Sequence, residues 1–247
     1  MLKRFCIFMY GVASYVIFLV TFLYTLGFVG NFVVPTTLDG PPRMPTGGAL
    51  LIDVLLLGVF ALQHSVMARP VFKRWLTRFV PEPAERSTYV LFSSLALLAL
   101  FALWQPLGGM AWDVQGPVAR TTLYALFGFG WLLVLVSSFL INHFDLFGLR
   151  QVWLQLEGRP YRPPGFDAPG PYKLVRHPLY LGWFVAFWTT PTMTGTHLLF
   201  SFVTTAYILV AIQLEERDLI DALGEDYLDY RERVPMIIPF SGLHSSN

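Results

Sequence analysis

Residues 5–38 read FCIFMYGVASYVIFLVTFLYTLGFVGNFVVPTTL, 34 positions without one charged side chain. About 20 mostly apolar residues cross the hydrocarbon core of a bilayer, so this stretch alone is long enough to span. Four more stretches follow the same pattern, at residues 47–67, 87–112, 121–144 and 177–214. Together the five hold 143 of the 247 residues and a single charge, Asp53, while the other 32 charges crowd into the remaining 104 positions. The whole chain is 55% hydrophobic and 13% charged, against about 25% charged in an ordinary soluble domain. The reading is an all-α, polytopic membrane helical bundle. The first run is twice the length of a signal-peptide core and lacks a small-x-small cleavage pattern, so it is expected to remain as the first helix.

The fifth stretch is too long for one helix and contains Pro191-Thr-Met-Thr-Gly195 at its middle. It therefore reads as a helical hairpin with arms near 179–190 and 197–214, which gives five or six transmembrane segments. Residues 1–144 form an N-terminal four-helix region. Residues 145–247 comprise a connector, the hairpin and a tail whose first part is helical. Fifteen of the 17 Lys and Arg residues fall on one side of this topology, leaving only Arg43 and Arg120 on the other. Positively charged loops stay in the cytosol, so both termini are expected there. The two basic loops, 67–86 and 145–176, face the same way, and the Gly/Pro-rich outer loops carry little chemistry.

Net charge is +1, which excludes a bulk electrostatic case for nucleic acid. The lone Cys6 excludes an internal disulfide. Asp53 falls near the outer end of its helix with no evident partner.

Several polar residues gather at the basic face. His64 ends the second helix, and His143 and Asp145 end the fourth. His177 opens the hairpin, and Glu215 and Glu216 close it. Ionisable groups at membrane depth are costly, and their convergence from separate helices marks a candidate site. The segment GPYKLVRHPLYLG, Gly170 to Gly182, is the sharpest local signal. Pro178 suits a first helical turn, whose free N–H groups attract an anion. Arg176 adds a planar cationic fork. Tyr180 shares a face with His177, and Gly182 admits close backbone approach. With Glu215 and Glu216 opposite, the set has a positive end, a negative end and an aromatic wall. That suits a zwitterionic, cationic cofactor such as S-adenosylmethionine, its sulfonium held by aromatic rings. A hairpin that binds a lipid headgroup has the same features.

The residues Arg176-His-Pro-Leu-Tyr-Leu-Gly182, then Glu215-Glu216, then Gly224-Glu-Asp-Tyr-Leu-Asp-Tyr-Arg-Glu-Arg-Val-Pro235 resemble the C-terminal signature of the isoprenylcysteine carboxyl methyltransferase superfamily. Leu62-Gln-His-Ser-Val-Met-Ala-Arg-Pro70, Glu85-Arg-Ser-Thr-Tyr-Val90 and Asn142-His-Phe-Asp-Leu-Phe-Gly-Leu-Arg-Gln-Val-Trp153 are similar to its nurim branch. The resemblance implies an integral membrane enzyme of the bacterial cytoplasmic membrane that methylates a small thiol from S-adenosylmethionine. It implies a cofactor pocket built from Tyr172, Val175, Arg176, His177, Tyr180, Leu181, Gly182, Glu215 and Glu216, with Tyr227 and Tyr230 as weaker candidates. A thiol nucleophile needs a proton acceptor or an anion-stabilising group. His143, His64, Asp145 and Arg150 are the candidates. Besides substrate and bilayer, no nucleic acid, metal or obligate protein partner is expected. A lipid-carboxylate methyltransferase and a non-catalytic nurim-like protein remain the alternatives.

Overall fold

The computed structural model describes residues 1–239. Five helices are long and apolar enough to cross a membrane: α1 (Leu2–Gly30), α2 (Thr46–Ala68), a helical segment at Glu82–Leu103 whose main part is α4 (Glu85–Leu103), α5 (Pro117–Leu140) and α9 (Gly195–Leu223). The chain is an integral membrane protein. The shorter helices are α3 (Pro70–Leu76), α6 (His143–Leu146), α7 (Leu149–Glu157), α8 (Pro178–Trp188) and α10 (Glu225–Arg233). Eleven residues of α8 extend about 16 Å, roughly half the hydrocarbon thickness. The first arm of the hairpin is thus a half-span, and five helices reach spanning length. The second arm continues through Glu215 and Glu216 to Leu223, beyond the expected end. The two basic loops are also less irregular than their Pro and Gly content suggests, since they hold α3 and α7.

The chain divides into two compact units. The first comprises Met1–Ala111, Phe144–Pro163 and Met193–Leu199. Here α1 packs on α4 and α7, and α2 packs on α4. Helix α7 presses Val152 against Gly11 of α1 so closely that a Cβ on Gly11 would lie 2.5 Å from a Val152 methyl. Phe18 and Phe147 stack at 3.8 Å. Asn31 ends α1 in the left-handed conformation with φ 59°, a geometry that Asn tolerates, and its N–H returns to Gly27 O.

Two expectations about this unit need correction. Asp53 is fully buried and accepts a hydrogen bond from Gln105 N–H at 2.9 Å, so it does have a partner. The outer loop 31–46 is not devoid of polar chemistry. Asp39 accepts from Asn31 Nδ2 at 2.7 Å, pairs with His197 Nδ1 at 3.3 Å and accepts from the Thr194 hydroxyl. His197 is only 1% exposed.

The second unit comprises Trp112–His143, Pro164–Thr192 and the chain from Phe200 onward. Its centre is the tight pair α5 and α8. A Cβ on Gly130 would fall 2.7 Å from Ala186 N, and one on Gly182 would fall 2.7 Å from Gly130 O. Small residues let helix backbones approach in lipid, where no hydrophobic force drives helices together. The backbone that approaches Gly182 is therefore α5. Helix α9 is tied to α8 by Trp188 Nε1–H donating to Thr205 Oγ1 (2.9 Å) and Ser201 Oγ–H donating to Phe187 O (2.8 Å).

Candidate active site

The second unit also assembles most of the residues expected to form a cofactor pocket. Pro178 starts α8 at its first turn, as anticipated, with His177 immediately before it. The two N–H groups preceding that turn are taken up by the tail: Arg176 N–H donates to Pro235 O and His177 N–H to Met236 O, at 2.8 and 3.1 Å. The tail backbone thus lies along the entrance to α8.

Glu216 is buried, Arg176 is half-buried, and the two are bound to each other. Arg176 Nε–H donates to Glu216 Oε1 at 2.8 Å. Its Nη1 donates to the carbonyls of Arg231 (3.0 Å) and Val234 (2.6 Å). His177 Nε2 meets the same Glu216 oxygen at 3.0 Å, and Arg231 lies 3.4 Å from the other. A carboxylate so enclosed neutralises the fork that sequence reasoning assigned to a ligand. The Arg176 guanidinium is committed to locking the tail onto the hairpin. This pairing also explains why α9 carries Glu215 and Glu216 without ending there. Glu215 Oε2 accepts from Tyr180 Oη–H at 2.9 Å.

Around this knot stands an aromatic group. The His177 and Tyr180 rings are 5.6 Å apart, and Phe166 meets Tyr227 and Tyr230 edge-on at 6.0 and 5.2 Å. Tyr230 Oη–H donates to Tyr172 O at 2.6 Å, and Tyr172 Oη–H to Ser137 O at 3.4 Å. Burial, then the nearby Glu215 charge, pushes the Tyr172 phenol above its ordinary value. Burial pushes Tyr230 up to about 12 and raises Tyr227 as well, so all three stay neutral hydrogen-bond donors. Of the seven buried side-chain atoms that make no hydrogen bond among the described residues, two belong to this group: Tyr227 Oη, in a side chain 2% exposed, and Ser137 Oγ. An unpaired buried hydroxyl costs about 1–3 kcal/mol. Such atoms beside a set of aromatic rings are what a polar ligand would satisfy. Val175 is buried and Leu181 half-buried.

His143 lies in the same unit, buried at 6% exposure and stacked 4.2 Å above Phe139. Its Nδ1 is 3.0 Å from Ser138 Oγ. The Ser138 hydroxyl proton is already given to Leu135 O at 2.8 Å. The direction of the bond between Ser138 and His143 follows the imidazole tautomer. Burial lowers the His143 pKa, which keeps the ring neutral at pH 7. Nothing in the spacing of residues 138 and 143 announces this pair, because Asn142, at φ 78°, reverses the chain between them.

The other candidates lie in the first unit with partners of their own. His64 Nε2 is 2.8 Å from Tyr89 Oη and its Nδ1 3.2 Å from Ser93 Oγ. Tyr89 was not anticipated. Asp145 pairs with Arg150 at 2.9 Å and accepts from Tyr161 Oη–H at 3.1 Å.

Comparison with known proteins agrees with this geometry. The chain is 57% identical to methanethiol S-methyltransferase of Crocosphaera subtropica over 99% of its own length and 96% of that protein. It is 55% identical to methanethiol S-methyltransferase of Mycobacterium tuberculosis over 99% of this chain and 100% of that one. Nurim of Sus scrofa is more distant, at 30% identity over 68% of this chain and 66% of its own. No family model and no solved structure matches. Identity of this order along nearly every residue, from α1 to the locked tail, places the chain in the methanethiol S-methyltransferase family.

Proposed function

We propose that this protein methylates methanethiol to dimethyl sulfide with S-adenosylmethionine as methyl donor, at the cytosolic face of a bacterial cytoplasmic membrane. The observation that carries the reading is the identity of 57% and 55% to two enzymes of that name over 99% of the chain. The concentration of Lys and Arg on one side of the topology supports the orientation, with both termini in the cytosol.

The residues present fit the donor. Its sulfonium suits the faces of Tyr172, Tyr180 and Tyr227, and Glu215 supplies negative charge beside Tyr180. Tyr227 Oη and Ser137 Oγ are the unsatisfied groups it would engage. Arg176 and Glu216, paired with each other, hold the tail to the hairpin. When bound, S-adenosylmethionine supplies a methyl group already activated by positive charge. The protein's tasks are then to align the thiol, exclude water and remove its proton. His143 is the group that would accept that proton, and a neutral imidazole is the form that can do so. Ser138, bonded to Nδ1, orients the ring.

Purified protein in nanodiscs, given S-adenosylmethionine and methanethiol, is expected to release dimethyl sulfide into the headspace in step with thiol consumed. Headspace chromatography showing no product above a donor-free control refutes the reading. Methyl transfer to an isoprenylated cysteine carboxylate in place of the thiol would redirect it to a lipidic substrate.

A further inference from the structure

Arg150, Leu154, Arg159, Pro160 and Arg162 line a concavity of about 300 Å³ in the first unit, apart from the residues proposed to bind donor and substrate. Its construction is local. Arg150 and Leu154 are four residues apart on α7 and so share a face. Gly158, with φ 75°, ends the helix in the left-handed conformation, and Arg159 N–H turns back to Leu154 O at 2.9 Å. That reversal carries Arg159 to the same rim. The Arg4 guanidinium crowds Gly158, 2.6 Å from where a Cβ would be, so a fourth arginine borders the site. Four arginines face two acids, Asp145 and Glu157, leaving two positive charges. The Arg159–Glu157 pair is exposed, at 67% and 34%, and a pair of that kind holds its guanidinium only weakly.

The depth of the site follows from α1. Arg4 is in the first turn of a spanning helix, so its level is that of the lipid headgroups. Trp153 and Tyr161 stand beside the concavity at 49% and 41% exposure, in the manner of interfacial aromatic anchors. Guanidinium groups at headgroup level above an apolar floor match the phosphodiester of an anionic phospholipid, with glycerol and acyl chains against Leu154. We infer that this concavity holds one anionic phospholipid, which anchors α7 at the membrane surface.

The test uses the full chain in nanodiscs of phosphatidylcholine mixed with phosphatidylglycerol, and native mass spectrometry to count retained lipids. The Arg159→Gln/Arg162→Gln double variant is compared at equal thermal stability, with Arg159→Lys/Arg162→Lys as the charge-preserving control. Wild type is expected to retain one phosphatidylglycerol. The Gln variant should bind it roughly 30-fold more weakly, about fivefold for each basic residue lost near a headgroup surface, and the Lys variant should recover most of that. Equal retention of phosphatidylcholine, or equal retention of phosphatidylglycerol by the Gln variant, overturns the inference. So does displacement of the lipid by millimolar inorganic phosphate, which would make the site one for a free anion.

Discussion

Two polar clusters in this protein use the same parts to opposite ends. In the first unit, Asp39 and His197 meet with Asn31 and Thr194, and both carboxylate oxygens have partners. In the second, Glu216 and His177 meet with Arg176, and both carboxylate oxygens again have partners. Each cluster pins a loop or tail to a helix. The difference lies just beyond the carboxylate. Beside the Glu216 cluster, Tyr227 Oη and Ser137 Oγ are buried without a protein partner among the described residues, next to a set of aromatic rings. Asp39 closes a loop, whereas the Glu216 cluster stands beside the proposed donor site. A buried acid–histidine pair is therefore not diagnostic of function.

The comparison breaks most severely if Glu216 is removed. Glu216→Ala leaves the half-buried Arg176 without its counter-charge and the buried His177 without this hydrogen-bond partner, and loss of one member of a buried pair costs about 3–5 kcal/mol. Thermal unfolding in detergent should fall sharply, with dimethyl sulfide production lost alongside.

His143→Ala separates chemistry from scaffold. Turnover should drop by about 10²–10⁴-fold, the usual worth of a positioned proton acceptor, while donor affinity measured by calorimetry stays near wild type. Equal loss of both in a folded variant would remove His143 from its proposed role. Ser138→Ala should cost less turnover than His143→Ala and should distort the pH profile, since the ring loses its hydrogen bond at Nδ1.

His197→Ala tests the other cluster. Stability should fall by about 1–3 kcal/mol, because Asp39 loses a buried partner, but donor affinity should not move. Loss of affinity together with stability would erase the distinction between the two clusters.

The pH dependence is a gentler probe. Burial lowers the His143 pKa from its usual value near 6.5, and only the neutral ring accepts a proton. Thiol methylation under kcat/KM conditions should therefore hold level as pH falls from 7 toward about 6.5 and decline only in more acid solution.

The bundle itself was legible because charge is distributed so unevenly. Arg176, His177 and Glu216 were legible as a group from their motifs, but their mutual pairing was not. It joins residues 40 positions apart, and a fork facing a ligand and a fork facing a carboxylate leave the same letters in the sequence. Helix α7 was hidden within a Pro- and Gly-rich segment because it is only nine residues long. Its buried face combines Gln151 with Val152 and Leu154. His197 passed unnoticed for a related reason. Its partner Asp39 is 158 residues away, in a loop whose composition suggested a plain connector. Local signals reveal where a helix starts, and only tertiary contact reveals which charges are already spent.

The most direct measurement concerns the Tyr227 hydroxyl. Tyr227→Phe removes one oxygen that has no hydrogen-bond partner among the described residues, so the folded state should be as stable as wild type or slightly more so. Binding of S-adenosylmethionine by isothermal titration should weaken about tenfold, the cost of one hydrogen bond to a charged ligand. Unchanged affinity in the Phe variant, or a clear loss of stability without ligand, would contradict the claim that this cluster is a site and the Asp39 cluster a clasp.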